Sequence, residues 1–206
     1  MHKLINSTLP IHIKVIEKSG YNRYTLLLNH QKIHTKSMIE LDLNSEYLAE
    51  LYNEKGGITS FKNLTRIPKI PFFEEGLELI IKLLEQKFDF KSFIIEALIN
   101  SKDKESFKIY KEMLFASFEN IYHIPFVFEN KPCLFQLRKK QKYAELFLYF
   151  NVFGGLKLLM QDDKKSLHTP FNKVGEFLSS HSDIELIYDK NVKAFFEFQK
   201  LLDFKG

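Results

Sequence analysis

The chain has 206 residues, 45% of them apolar and 27% charged, with 30 Lys+Arg against 26 Asp+Glu. A chain of this size and composition hides about 70% of its unfolded surface on folding, so wholesale disorder and a bare peptide module are excluded. A net charge of +4 permits a nucleic-acid or membrane partner without demanding one, and 21 Phe with no Trp give the core an unusual aromatic content.

The first seventy residues read as short strands between turns. Ile11, Ile13 and Val15 alternate with His12 and Lys14, the period-two pattern of a half-buried strand. Ser19-Gly20 predicts a turn, Tyr24 to Leu28 a second strand, Asn29-His30-Gln31 another turn, and Ile33 the centre of a third strand. Glu46 to Tyr52 and Ile58 to Leu64 read as a pair joined by a hairpin at Gly56-Gly57, where paired glycines accept positive φ. Five short strands in this span predict a small β-barrel-like module.

Pro68 and Pro71 mark a boundary, since proline removes a ladder donor and stiffens the chain. Beyond it the period changes. Leu77, Ile80, Ile81, Leu84 and Phe88 fall on one helical face, with Glu74 and Glu75 placed to complement the dipole at its start. Asp89 predicts the cap of a second helix carrying Phe90, Phe93, Ile94, Ala97 and Leu98. Ser101 or Asp103 predicts the cap of a third, carrying Phe107, Tyr110, Leu114 and Phe118.

From His123 the period returns to two. Ile124, Phe126 and Phe128 lead to a turn at Asn130-Lys131-Pro132 and a strand through Cys133, Phe135 and Leu137. Arg138, Lys139, Lys140 and Lys142 read as an exposed hairpin tip. Tyr143 to Phe150, apolar on both faces, reads as a central strand. Gly154-Gly155 breaks it, and Leu156, Leu158 and Met160 begin another strand, closed by Asp162-Asp163. Asn172 predicts the cap of a short helix bearing Val174, Phe177 and Leu178. Ile184, Leu186 and Tyr188 predict a last strand, and Val192, Phe195, Phe196 and Leu202 a terminal helix.

The fold expectation is therefore α+β: a small β-barrel-like module over 1–70, a helical region over 71–122, and a C-terminal α+β module over 123–206 with a mostly antiparallel sheet. Cys133 is the single cysteine, which excludes an intrachain disulfide and a multi-cysteine zinc site and fits a reducing compartment. The segment from Met1 to Ser7 lacks an apolar run of signal-peptide length, and no run approaches the ~20 residues of a membrane span. A cytoplasmic protein is the expectation.

The search for chemistry favours a non-enzyme. His30 and His34 are four apart with His12 on a neighbouring strand, but the segment reads as strand and turn and supplies no oriented third ligand, so no metal site is assigned. Cys133 lies in an apolar series where a thiol behaves as a small hydrophobe. Glu74-Glu75 and Asp162-Asp163 are explained by a helix start and a turn. No phosphate-binding glycine loop, metalloprotease helix or nucleophile elbow is present, so no catalytic residue and no cofactor is assigned. The basic run Arg138, Lys139, Lys140 and Lys142, with Lys62, Arg66 and Lys69 and stacking partners among Tyr21, Tyr24 and Tyr52, defines the alternative: a nucleic-acid or nucleotide-binding module using the N-terminal barrel.

One stretch carries a resemblance. Ile124-Pro125-Phe126-Val127, Cys133 to Arg138, Ala144 to Phe150 and Asn151-Val152-Phe153-Gly154-Gly155-Leu156-Lys157 resemble, in that order, the C-terminal domain of flagellar hook-length control proteins. Lys14 to Glu17, Arg23 to Leu28 and Tyr47 to Leu51 are similar to the β module ahead of that domain in some relatives. The resemblance implies a non-enzymatic protein of flagellar assembly and motility that contacts the type III export gate and helps switch the class of exported substrate. It puts the protein contact at Phe153, Gly154 and Leu156 and is compatible with passage through the flagellar channel. The family's long, flexible, polar length gauge has no counterpart here, so the implied role is docking or regulation.

Overall fold

The computed structural model describes residues 9–53, 59–85, 89–181 and 184–198. Five strands come first: β1 (Ile11–Gly20), β2 (Arg23–Leu28), β3 (Gln31–Lys36), β4 (Glu46–Asn53) and β5 (Thr59–Arg66). They form one sheet in the order β3-β2-β1-β4-β5, with antiparallel neighbours throughout. The sheet is open, with β3 and β5 at its edges, so the expected barrel is not closed. Ile13, Val15, Tyr24, Leu26, Leu28, Tyr47 and Ala49 alternate onto one face and build a core. Ile33 from β3 and Phe61 and Leu64 from β5 pack against that same core.

The turns follow local side-chain chemistry. β1 runs through Gly20, and the chain reverses at Tyr21-Asn22 instead of Ser19-Gly20, with Asn22 taking the positive φ of 54°. Asn29 and His30 both have positive φ, as a two-residue hairpin between twisted strands requires. The hairpin placed at Gly56-Gly57 lies outside the described residues. Tyr24 and Tyr47 point their hydroxyls at the long β3–β4 connection, accepting from the Leu41 and Asp42 amides at 3.3 and 3.0 Å.

Three helices follow the prolines: α1 (Gly76–Glu85), α2 (Phe90–Asn100) and α3 (Lys104–Phe118). Asp89 caps α2, accepting from the Ser92 amide at 3.2 Å, and Asp103 caps α3, accepting from the Glu105 and Ser106 amides at 3.0 and 2.8 Å. Next come β6 (Ile121–Phe128), β7 (Lys131–Lys139), β8 (Ala144–Phe150), β9 (Gly154–Gln161) and β10 (Lys164–Thr169). The β6–β7 turn is Glu129-Asn130, both at positive φ, which leaves Lys131 and Pro132 inside β7. The strand β10 was not expected, because Lys164 and Lys165 open it and hide its short apolar part. The chain closes with α4 (Asn172–Ser179), β11 (Glu185–Tyr188) and an irregular stretch over 192–198. The second sheet has the order β11-β10-β9-β8-β7-β6.

Ile124 and Phe126, Cys133, Phe135 and Leu137, and Leu146, Leu148 and Phe150 share one face of β6–β8, and the three helices cover it with Leu79, Ile80, Leu83, Phe90, Ile94, Ile109 and Met113. α2 presents the expected face, with Phe90 and Ile94 buried and Phe93, Ala97 and Leu98 packed beside them, whereas α1 and α3 differ from expectation in part. α1 buries Gly76, Leu79, Ile80 and Leu83, and leaves Leu77, Ile81 and Leu84 exposed. Gly76 selects that face: a Cβ there would overlap the Pro125 carbonyl oxygen and lie 2.8 Å from Phe126 Cα, so only glycine lets α1 approach β6 so closely. α3 buries Ile109, Tyr110, Met113 and Ala116 and leaves Phe107 and Phe118 outside.

Two compact units result: 1–69 with 151–154 and 168–191, and 70–150 with 155–167 and 192–206. The proline boundary coincides with the break at Lys69 and Ile70. The helices belong with the second sheet instead of forming a region of their own, and 123–206 is not one contiguous module. The first unit recruits α4 through a buried carboxylate. Asn172 is not the cap of α4; the Glu50 side chain accepts from the Lys173 amide at 2.9 Å, from Asn63 Nδ2 at 2.7 Å and from the Tyr52 hydroxyl at 2.9 Å. Burial, and then the Glu50 carboxylate, push the Tyr52 hydroxyl's pKa up.

In the second unit, the stretch expected as a terminal helix is not helical over 192–198; Leu202 lies outside the described residues. The side-chain carboxamide of Gln136 claims its backbone. Gln136 Oε1 accepts from the Phe195 and Phe196 amides at 2.6 and 3.3 Å, while Nε2 donates to the Phe196 carbonyl at 2.7 Å. The same Nε2 lies 2.7 Å from His123 Nδ1, so the imidazole accepts and is neutral. Burial lowers the His123 pKa from 6.5 to about 4. Because the folded pKa is depressed, this residue's contribution is complete above pH 6.5 and is lost as the pH falls toward 4, by up to about 3 kcal/mol. Urea melts at pH 7 and pH 5 are expected to differ less in His123→Gln than in the parent; an unchanged difference contradicts the assignment.

Candidate functional site

The expected contact residues do not form an exposed patch. Gly154 is buried with φ +74°, a left-handed conformation that a side chain strains, and a Cβ there would sit 2.6 Å from the Phe171 ring. Gly154 and Gly155 open β9 and the turn itself is Asn151-Val152-Phe153. Phe153 is half-buried and stacks on Phe177 at 6.3 Å. Leu156 is 7% exposed. Each has a packing role.

The exposed apolar surface lies on the helices. Leu77, Ile81 and Leu84 on α1 follow i, i+4, i+7, and Ile95 and Ile99 on α2 follow i, i+4. Phe107, Phe115 and Phe118 on α3 fall within one side of that helix. Ile99 is 78% exposed, Phe118 66% and Leu84 60%. Each helix thus carries a buried apolar stripe against β6–β8 and a second, exposed apolar set outside it, of which Phe115 meets the Phe198 ring. A helix apolar on two sides is the pattern of a covered helix.

The basic run divides. Arg138 is not at the hairpin tip: it pairs across the strands with Glu145, donating from Nε at 2.9 Å, and stacks on Phe195 at 4.7 Å. Lys157 Nζ completes the pair at 2.9 Å from Glu145. Burial would raise the Glu145 pKa, but hydrogen bonds from Lys157 and Arg138 outweigh it and hold the carboxyl below its ordinary range. Lys139, Lys140 and Lys142 are exposed. Lys139 and Lys140 join Lys91 at a groove of about 470 Å³ floored by Phe90 and Ile121, with Tyr122 on its wall. Asp89 and Glu119 line the same groove and offset that positive charge. Lys142 does not line it. Of the three tyrosines considered for stacking, Tyr24 is buried, Tyr52 half-buried and Tyr21 exposed.

A second groove, of about 350 Å³, belongs to the first unit. Leu26 and Leu41 form its floor, Phe61 and Leu64 one wall, and Thr35, Lys36 and Ser37 the other. Its lip carries Met38, fully exposed, and Ile39, with the turn held by Ser37 Oγ donating to the Ile39 carbonyl at 2.6 Å. Lys36, Lys62 and Lys190 line it, and no carboxylate does.

Histidines and thiol take structural positions. His12 lies 3.3 Å from the Asn151 carbonyl and His34 3.2 Å from the Thr25 hydroxyl, while His30 occupies a turn. Among the described residues no group of three His, Cys, Asp or Glu is placed to hold a metal ion, and no helix is long and apolar enough to cross a membrane. Cys133 is buried in the helix-facing core. No family model matches the chain, and no curated protein or solved structure matches it.

Proposed function

We propose that the chain is a non-enzymatic docking protein that binds another protein through the outward stripes of α1, α2 and α3. One observation carries the reading: α1, α2 and α3 each expose large apolar side chains in addition to the set that each packs into the core. Scattered exposed apolar residues are ordinary, but large apolar side chains exposed at helical spacing on each of α1, α2 and α3 point to an interaction surface. The flagellar resemblance supplies the setting, a cytoplasmic contact with a component of the type III export gate, and the docking face moves from Phe153, Gly154 and Leu156 to the helices.

Glutamates at two well-exposed stripe positions, Leu84→Glu with Ile99→Glu, test it. Each is expected to change stability by no more than about 0.5 kcal/mol, because neither side chain supports the core. Swimming in soft agar and recovery of the partner by affinity capture are expected to be lost. Wild-type capture by this double variant contradicts the docking face, whereas normal hooks and swimming in a deletion strain contradict the flagellar setting alone.

The nucleic-acid reading has less support, since Arg138 is committed to Glu145 and the lysine groove contains two carboxylates. Retention on heparin with a steep salt dependence, lost on charge removal at Lys139 and Lys140, would favour it.

A further inference from the structure

We infer that the first unit binds an extended acidic segment of a partner as an added strand on the edge of β3, with that segment's apolar side chains in the groove between β3 and β5. The inference stands on observations independent of the helical stripes. β3 is the outermost strand of its sheet among the described residues, and its ladder with β2 is unbroken from Arg23↔Lys36 to Leu28↔Gln31. The opposite edge is a poorer template, because the β4–β5 register shifts between Leu48 and Glu50 and Asn63 takes φ 55°.

The hairpin fixes which backbone groups of β3 look outward. A two-residue loop at Asn29-His30 makes Leu28 and Gln31 a hydrogen-bonded pair, and the alternation then bonds Ile33 and Thr35 to β2 as well. Lys32, His34 and Lys36 therefore turn their N–H and C=O groups away from β2. An added strand pairs with those three residues. Its side chains alternate, one set beside Ile33 and Thr35 toward the apolar floor at Leu26 and Leu41, the other beside Lys32, His34 and Lys36.

Charge selects the occupant. Lys32 and Lys36 lie on the side of β3 beside which the second set falls, and the groove lining holds no carboxylate. The nearest acidic residues on the β3–β4 connection are already paired, Glu40 with Lys18 at 2.9 Å and Asp42 with Arg66 at 2.9 Å. An alternating apolar and acidic segment satisfies both faces at once, and cross-strand charge pairs favour it over a neutral one. Met38 and Ile39 on the lip add adaptable apolar contact at one end.

The test uses the full chain and three labelled synthetic nonapeptides alternating valine with glutamate, glutamine or lysine, read by fluorescence anisotropy. The valine–glutamate peptide is expected to bind about tenfold more tightly than the glutamine peptide, with the lysine peptide weakest and the advantage shrinking in high salt. His34→Pro removes one outward N–H without touching the β2 ladder and is expected to abolish binding while the circular dichroism spectrum is kept. Lys32→Glu with Lys36→Glu is expected to invert the preference between the charged peptides. Equal affinity for the glutamate and glutamine peptides, full affinity in His34→Pro, or no binding of any peptide overturns the inference. None of these outcomes bears on the helical docking face, which Leu84→Glu with Ile99→Glu tests separately.

Discussion

Gly76→Ala is expected to be among the most damaging single substitutions in the second unit, even though it places a better helix former at the first position of a helix. At that end position the propensity gain is below the roughly 1 kcal/mol of a helix interior. Against it, the new methyl group meets backbone: it overlaps the Pro125 carbonyl oxygen and stands 2.8 Å from Phe126 Cα, neither of which can rotate aside. α1 must back away from β6, which loosens Leu79, Ile80 and Leu83 in the shared core. A net loss of about 3 kcal/mol is expected, or about 10 °C in Tm for a chain of this size. Leu77→Ala, on the exposed side of the same helix, is expected to cost less than about 1 kcal/mol. Denaturant melts of the two variants check the order, and a Gly76→Ala protein as stable as the parent contradicts the close approach.

Glu50→Ala is expected to cost about 2 to 4 kcal/mol in the first unit, since it leaves the Tyr52 hydroxyl, the Asn63 amide and the Lys173 backbone N–H without their acceptor in a site that is 1% exposed. Glu50→Gln separates charge from shape. The carboxylate accepts through both oxygens, Oε1 from Lys173 and Oε2 from Tyr52 and Asn63, so a carboxamide must turn a donor toward a donor on one side. Its expected cost is about half that of alanine. The tyrosine fluorescence of both variants reports local release around Tyr52, and stability within about 0.5 kcal/mol of the parent in both contradicts a carboxylate-organised α4.

These two residues also show where the sequence stops being legible. Strand positions and two helix caps could be read because their signals are local: alternation in Ile11–Val15 and Cys133–Leu137, and Asp89 and Asp103 ahead of helices. Which face of a helix turns inward depends on a distant surface. α1 offers two overlapping apolar stripes with similar spacing, and the choice rests with a glycine fitting against β6, a residue that apolar periodicity ignores. The cap of α4 comes from Glu50, 123 positions away, so Asn172 looked sufficient in the sequence and is not used.

The site follows the same logic. The contact at Phe153, Gly154 and Leu156 is what the family resemblance implies, and in the structure the glycine answers a left-handed φ beside Phe171. Arg138 belonged by sequence to a basic tip and by strand register to Glu145. Leu84 and Phe118 fall on the apolar faces that periodicity assigns to the core, and Ile99 lies outside the set it assigns to α2. Their exposure became apparent only once the three helices had been laid on β6–β8 with their other faces down.

The most direct measurement of the docking reading is in-cell photo-crosslinking with a reactive side chain at Ile99, compared with one at Lys142 on the exposed β7–β8 hairpin. The account predicts a discrete crosslinked protein of constant mass from Ile99, absent from Lys142 and lost when Leu84→Glu is added. Ile99 giving no product, or the same product as Lys142, contradicts it.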